Sequence, residues 1–358
     1  MFRRFPLVAM AAAATASTLA IAACSSSSSS SSSGSTTSQS SSMPTVTMMV
    51  GGIDKQIYLP YQLAQQLGFY KKYGVNMVLS TEQAGGVGAE TAMASGQVDM
   101  AGAWYTHTID FQLKGKPVED VVQLSGSPGE RIMCGKGSNI TSPAQWRGKS
   151  IGVTDLGSGT DQLTLYLAAR YHLTTKDFSR VGAGAGSTMI AAIQHGKVAC
   201  GMTTQPTVTA IEKLGIGYSA FDLATTAGVQ KWLGGYVPTA GVLALTSWVN
   251  ANQATVQKVV DALVATMHWI HTHTAAQIAD EMPPAFVSNS VVTKADYITA
   301  LTQDKSQFLP DGMMPAGGPQ VVLAIDKLAG VVTGPVDLTT TYTNSYAIAA
   351  NKLEGLSS

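Results

Sequence analysis

The six histidines, three cysteines and 22 carboxylates are the residues of this chain with the most chemical reach. His268, His271 and His273 crowd one stretch whose apolar spacing predicts a helix, and the first two are i,i+3 neighbours. A zinc centre needs a third or fourth donor and a supporting shell of hydrogen bonds. No cysteine or carboxylate stands at suitable spacing before Asp280 and Glu281, so these side chains read as a polar helix face. His107 follows the aromatic pair Trp104-Tyr105 and has no evident acid or nucleophile beside it. Gly157-Ser158-Gly159 is not a nucleophile elbow, because the glycines of that motif stand two positions from the serine on each side. No catalytic residue, metal or cofactor is expected.

The chemistry the sequence does offer is that of binding. Segments 51–56, 81–86, 103–106, 154–160, 184–188 and 203–205 are loops rich in Gly, Ser and Thr, all but 184–188 placed between a predicted strand and a predicted helix. In open α/β sheets, ligands lie beyond the carboxyl ends of the strands, where such loops lead into helix N-termini. Glycine there lets backbone N–H groups approach a ligand closely. The candidate contacts are Asp54, Gln56, Tyr58, Gly85, Gly86, Trp104, Tyr105, Ser127, Ser158, Thr160, Asp161, Ser187 and Gln205. Trp104 and Tyr105 offer a flat wall. Asp54, Glu82 and Asp161 add acceptors to a mouth with few cations, chiefly Lys55 and Arg131. That balance suits a neutral, zwitterionic or cationic nitrogen-containing solute better than a bare dianion.

The elements that must position these loops alternate along the chain. Strands are predicted over 45–50, 75–80, 98–102 and 121–124, with helices over 58–73, 88–94 and 108–113. After a break at Gly126-Ser127-Pro128-Gly129 the rhythm resumes, with strands over 131–134, 150–153, 198–202 and 241–245. Helices fall over 162–171, 189–194 and 208–213, and the pattern turns helical after Ser247. One motif, Ala-x-x-x-Gly-x-Val, occurs at 92–98 and again at 192–198, which suggests two lobes built from similar units. The class is therefore α/β with mostly parallel sheets.

Composition sharpens this. Only 12% of the 358 residues are charged and the formal net charge is zero, which excludes a nucleic-acid binder dependent on basic excess. Arg3 and Arg4 precede an apolar stretch that ends at Ala23, the form of an export signal. Ile21-Ala22-Ala23-Cys24 resembles the lipobox of bacterial lipoproteins, which implies a diacylated Cys24. Nine serines, Ser25 to Ser33, open a tether over 24–43. Loss of residues 1–23 leaves 20 basic and 22 acidic residues, a net charge of −2. The rest of the chain holds no run near the ~20 apolar residues of a membrane span.

A family resemblance enters on several ordered motifs. Residues 62–75, from Gln62-Leu63-Ala64 to Tyr73-Gly74-Val75, resemble the first helix and next strand of the ABC-importer solute-binding proteins for aliphatic sulfonates, nitrate, taurine and the thiamine pyrimidine precursor. Ala94-x-Gly96-x-Val98-Asp99, Trp146-Arg147-Gly148-Lys149-Ser150-Ile151-Gly152-Val153, Gly157-Ser158-Gly159-Thr160-Asp161 and Gln205-Pro206 follow in the family's order. Three features depart from it: Ala144-Gln145 replaces an acidic residue, Asp161 stands where a histidine is frequent, and Gln205 replaces a glutamate.

The resemblance implies a type II periplasmic-binding-protein fold with two crossovers between lobes. Lobe one would span 44–126 and return over 248–358, and lobe two would span 127–247. It further implies a monomer, lipid-anchored to the outer face of the cytoplasmic membrane, that binds a small solute by hinge closure and hands it to ABC permease subunits without catalysis. An exported enzyme on the same scaffold, akin to the pyrimidine-synthesising relatives, and a sensing subunit without transport are the alternatives. Family topology would set the strands of Cys134 and Cys200 side by side, either bridged or as two buried thiols.

Overall fold

The computed structural model describes residues 43–82 and 86–355. The export signal, Cys24, the serine tether and Gly85 lie outside the described residues. Among the described residues ten strands form two five-stranded sheets. They are β1 (Thr45–Val50), β2 (Asn76–Thr81), β3 (Met100–Trp104), β4 (Val118–Gln123), β5 (Glu130–Gly135), β6 (Ser150–Val153), β7 (Ser179–Gly182), β8 (Cys200–Thr204), β9 (Gly217–Leu223) and β10 (Ala240–Leu245). The first sheet has the order β2-β1-β3-β10-β4 and the second β7-β6-β8-β5-β9. This is the two-lobed α/β architecture expected.

Each sheet holds one strand that runs against the rest, β10 in the first and β5 in the second. The direction follows from the path of the chain. A strand entering from the other lobe starts at the end of the sheet facing that lobe, whereas strands reached through a helical crossover finish there. The parallel strands of both sheets therefore point their carboxyl ends at the space between the lobes.

The position of β10 corrects one boundary. The 241–245 strand was expected to close the second lobe at 247. Instead β10 pairs with β3 and β4, so the chain has rejoined the first sheet by Ala240. The break at 126–129 lies where expected, between β4 and β5. The two crossing segments are laced together: Leu124 N donates to Ala240 O at 2.8 Å and Val237 N to Gly126 O at 3.0 Å. The hydroxyls of Ser125 and Thr239 meet at 2.7 Å, and Thr239 Oγ1 donates to Ser127 O at 2.7 Å.

The repeated motif has a structural counterpart. In both copies a glycine in the left-handed region, Gly96 at φ 77° and Gly196 at φ 65°, ends the helix. The next amide, of Gln97 or Lys197, donates back to Ala92 O or Ala192 O at 2.9 Å. The chain then enters β3 or β8, a strand buried along its whole length in each lobe. Other expectations needed adjustment. The helix expected over 58–73 breaks at Gly68, φ 70°, into Leu59–Gln66 and Phe69–Lys72. Strands β7 and β9, absent from the expectation, are the edge strands of the second sheet. Edges need no continuous apolar run, so their sequence signal is weak.

Cys134 and Cys200 stand in register across β5 and β8, their Cα atoms 3.9 Å apart, and are joined by a disulfide. Thiol titration of the denatured, unreduced protein is expected to detect neither. Recovery of both as free thiols would refute the bond. Among the described residues no helix is long and apolar enough to cross a membrane.

Candidate functional site

Where the carboxyl ends of the two sheets face each other, a small polar cavity of about 10 Å³ is lined from both sides. Lys55, Ile57, Tyr58, Glu90, Trp104 and His107 contribute from the first-sheet side, and Glu130, Thr154, Gly159 and Thr160 from the second. The local folding reasons are simple. Trp104 ends β3, and the helix Thr106–Leu113 follows at once, so His107 sits in its first turn. On the other side β6 ends at Val153, and Ser158 caps the helix Gly159–Ala169 by accepting from Asp161 N.

One close contact between the lobes lies at this cavity. A Cβ on Gly159 would lie 2.0 Å from Trp104 Cε3, so the indole rests directly against the bare backbone of the second lobe's helix. The absence of a side chain at 159 lets the two sides approach this far. Gln56 N also donates to Gln205 O at 3.0 Å, a backbone link across the same seam.

The cavity contains two pairings of opposite charge. His107 Nε2 lies 3.2 Å from Glu90 Oε1, and its Nδ1 lies 3.1 Å from Asp110 Oδ2. Burial alone would lower the His107 pKa, but Glu90 and Asp110 lift it to about 9. Burial pushes Glu90 up to about 8 against the pull of His107. Across the cavity Glu130 is likewise raised by burial to about 8, opposed by the charges of Lys55 and Arg131. Burial lowers Lys55 despite Glu130, Glu82 and Asp54, and its Nζ donates to Gly51 O at 2.6 Å. Glu130 Oε2 is buried without a hydrogen bond, and Glu90 Oε1 has only the ion-pair contact with His107.

The sequence-predicted residues divide among several places. Tyr58, Trp104 and Thr160 line the central cavity. Asp54 and Ser187 line a wider opening beside it, with Lys55, Gly186, Thr207 and Asn289. Ser127 lines a separate cavity at the crossing segments, near Tyr236 and Gln230. Gly86 precedes the helix Val87–Ala94, and its N–H donates to the Glu82 carboxylate.

Others are committed to the fold. Tyr105 is buried and meets Thr341 Oγ1 at 2.6 Å, so it supplies no wall to the cavity. Gln56 Nε2 donates to Tyr297 O, and Gln205 Oε1 accepts from Thr209 N at 3.1 Å. Gln205-Pro206 is a cis peptide bond. Asp161 Oδ2 is paired with Arg180 at 2.5 Å and accepts from Gly157 N. Ser158 shares hydroxyl contacts with Thr154 and Thr160. Arg131 is no cation of the mouth, because both its terminal nitrogens bind Asp304 at 2.7 Å.

His107 is corrected too, since its acid partners come from another helix and from its own next turn. Glu90 and Glu130 were not anticipated. Glu90 carries a faint signal, being the one charge in the Ala-rich helix Val87–Ala94. Glu130 carries none beyond its place after the Gly126-to-Gly129 break.

Comparison with known proteins agrees with this geometry. A family model described as "NMT1/THI5 like" matches residues 57–277. The chain is 30% identical over 146 residues to 4-amino-5-hydroxymethyl-2-methylpyrimidine phosphate synthase THI5 of Saccharomyces cerevisiae, a match covering 40% of this chain and 42% of that protein. The aligned stretch thus spans less than half the length of that relative. A solved structure from Bordetella bronchiseptica RB50 superposes with a TM-score of 0.80 at 27% identity, covering 87% of this chain and 98% of that one. The alkanesulfonate-binding protein SsuA from Xanthomonas axonopodis pv. citri, bound to MOPS, shares the fold with a TM-score of 0.64 at 17% identity, covering 84% and 98%. The fold is the type II periplasmic-binding-protein fold, and with the family model spanning more than half its length, the chain belongs to the NMT1/THI5-like family.

Proposed function

We propose that the protein is an exported, lipid-anchored solute-binding component of an ABC importer, which closes its two lobes on a small nitrogen-bearing solute. The observation that carries this reading is the central cavity itself, polar, walled from both sheets and lined at the carboxyl ends of their strands. Its carboxyl groups, Glu90 beside His107 and Glu130 with a buried oxygen free of hydrogen bonds, complement a small solute that bears an amino group. A zwitterionic aminosulfonate and an aminopyrimidine both meet that description, and Trp104 and Tyr58 supply apolar surface. Inorganic oxyanions would face two carboxyl groups. The Cys134–Cys200 disulfide supports an oxidising, extracytoplasmic setting.

Calorimetric titration with sulfonates, nitrate, pyrimidines and amines tests the reading. Amine-bearing solutes are expected to bind, and Glu90→Gln and Glu130→Gln should each weaken them by about tenfold to a hundredfold, the worth of a hydrogen bond to a charged group. Tight binding of a simple oxoanion, with none of the amine series, would overturn it.

His107 held between two carboxyl groups supports a second reading, an enzyme on the same scaffold with His107 as proton-transfer group. Mass spectrometry of a bound solute after prolonged incubation separates the two. An importer component returns it unchanged, whereas an enzyme converts it and loses that activity in His107→Gln.

A further inference from the structure

Behind the cavity a second set of buried polar groups joins three helices. Thr106 begins the helix Thr106–Leu113 on the first-sheet side, Gln162 lies on Gly159–Ala169 of the second lobe, and Asp326 lies on Gly318–Ala329 near the chain's end. Gln162 Nε2 donates to Asp110 Oδ2 at 2.6 Å, the same oxygen that lies beside His107 Nδ1. Thr106 Oγ1 has two oxygen neighbours at 2.7 Å, Gln162 Oε1 and Asp326 Oδ2.

A hydroxyl carries one hydrogen. It can donate to only one of those oxygens, so the other must bring a hydrogen of its own. Gln162 has already committed its amide nitrogen to Asp110, which leaves Asp326 as a carboxylic acid donating to Thr106 Oγ1 while Thr106 donates to Gln162 Oε1. We propose that Gln162 is a closure latch across the lobes, held by a proton on Asp326, and that loss of this proton opens it. An ionised Asp326 would capture the Thr106 hydrogen and strand Gln162 Oε1. This rests on the reading that the lobes close on a solute, and it adds a proton to that closure.

The surroundings fit. Asp326 is 1% exposed. Facing it are His107 and Asp110 on the Thr106 helix and Gln162 on the second-lobe helix. Asp161 beside Gln162 is tied to Arg180, and Lys327, next along its own helix, is exposed. Burial raises Asp326 to about 7, with Asp110 adding to the rise and Thr106 and His107 opposing it. In the open form the carboxyl regains water and an ordinary pKa near ~4. The closed state therefore holds the proton more tightly, so closure is favoured below pH 7 and weakened as pH rises through it.

The test measures interlobe distance by pulsed electron resonance between spin labels at Gln97→Cys and Lys176→Cys, both exposed, in the full chain carrying Cys24→Ser. Without solute, the closed-to-open ratio is expected to fall about tenfold between pH 6 and pH 8, the effect of one linked proton. Asp326→Asn, which keeps a donor at every pH, should abolish that fall, leaving only what Glu90, Glu130 and His107 contribute. Gln162→Leu should favour the long distance at both pH values, with circular dichroism showing it folded. A wild type indifferent to pH, or an Asp326→Asn variant that keeps the whole response, would overturn the proposal. Because the readout needs no solute, a chain that latches but binds nothing refutes only the functional reading. One that binds an amine solute without pH-dependent closure refutes only the latch.

Discussion

Gly159→Val is expected to weaken solute binding at least about a hundredfold while the unliganded protein melts within a few degrees of wild type. The two effects separate because the substitution acts on the closed seam and not on the fold of either lobe. The Gly159 backbone does not lie in the left-handed region, and as the first residue of its helix, after the Ser158 cap, it tolerates a side chain. The obstacle lies across the cleft, where a Cβ would stand 2.0 Å from Trp104 Cε3 and 2.6 Å from Cδ2.

The indole cannot retreat easily, since Trp104 is only 7% exposed and ends the central strand β3. The lobes must stay apart instead, and a solute held by one wall loses the polar contacts of the other. Loss of only two or three such contacts, at about 1 kcal/mol each, amounts to about a hundredfold. Trp104→Ala in the same chain should restore the short interlobe distance. Unchanged affinity in Gly159→Val would show that the cavity is not where the solute is held.

The contrast between Gly159 and its neighbours shows what the sequence could carry. The loops after β1, β3 and β6 were legible because strand, turn and helix each leave a local pattern, and the paired Gly96 and Gly196 turns gave away the internal repeat. Trp104 and Thr160 could be placed at the cavity on that basis. Yet Tyr105, one residue on, points its hydroxyl to Thr341, 236 residues away, and nothing local announces such a partner. Asp161 and Arg131 looked like groups of the mouth for the same reason, until Arg180 and Asp304 took them. Local spacing identifies which loops converge. It does not say which polar side chains on them are already satisfied, because that depends on residues far along the chain. The candidate cavity is lined by Glu90, His107 and Glu130 as well as by loop hydroxyls, and the Glu90–His107 contact is supplied by tertiary packing.

Arg131 offers the sharpest stability test of that packing. Its guanidinium, at the start of β5, makes a bidentate pair with the two Asp304 oxygens at 2.7 Å, and Asp222 stands 3.7 Å from Nε. Both partners are buried, and Asp304 closes the helix Lys294–Asp304, so the pair straps the late helical segment to the second sheet. The Asp304 charge holds Arg131 protonated against the cost of its burial. Asp304→Ala leaves that cation buried with the longer, half-exposed contact to Asp222, and should cost about 3 to 5 kcal/mol in urea unfolding. Arg131→Met with Asp304→Leu removes both charges together and should recover most of the loss, since a buried pair is worth little against apolar groups of similar size. Followed by far-ultraviolet circular dichroism and by tryptophan fluorescence, the double-variant cycle distinguishes a strap from a bystander. If Asp304→Ala costs less than about 1 kcal/mol, or the double variant is worse than either single one, the late segment is held by its apolar contacts and the ion pair merely accompanies them.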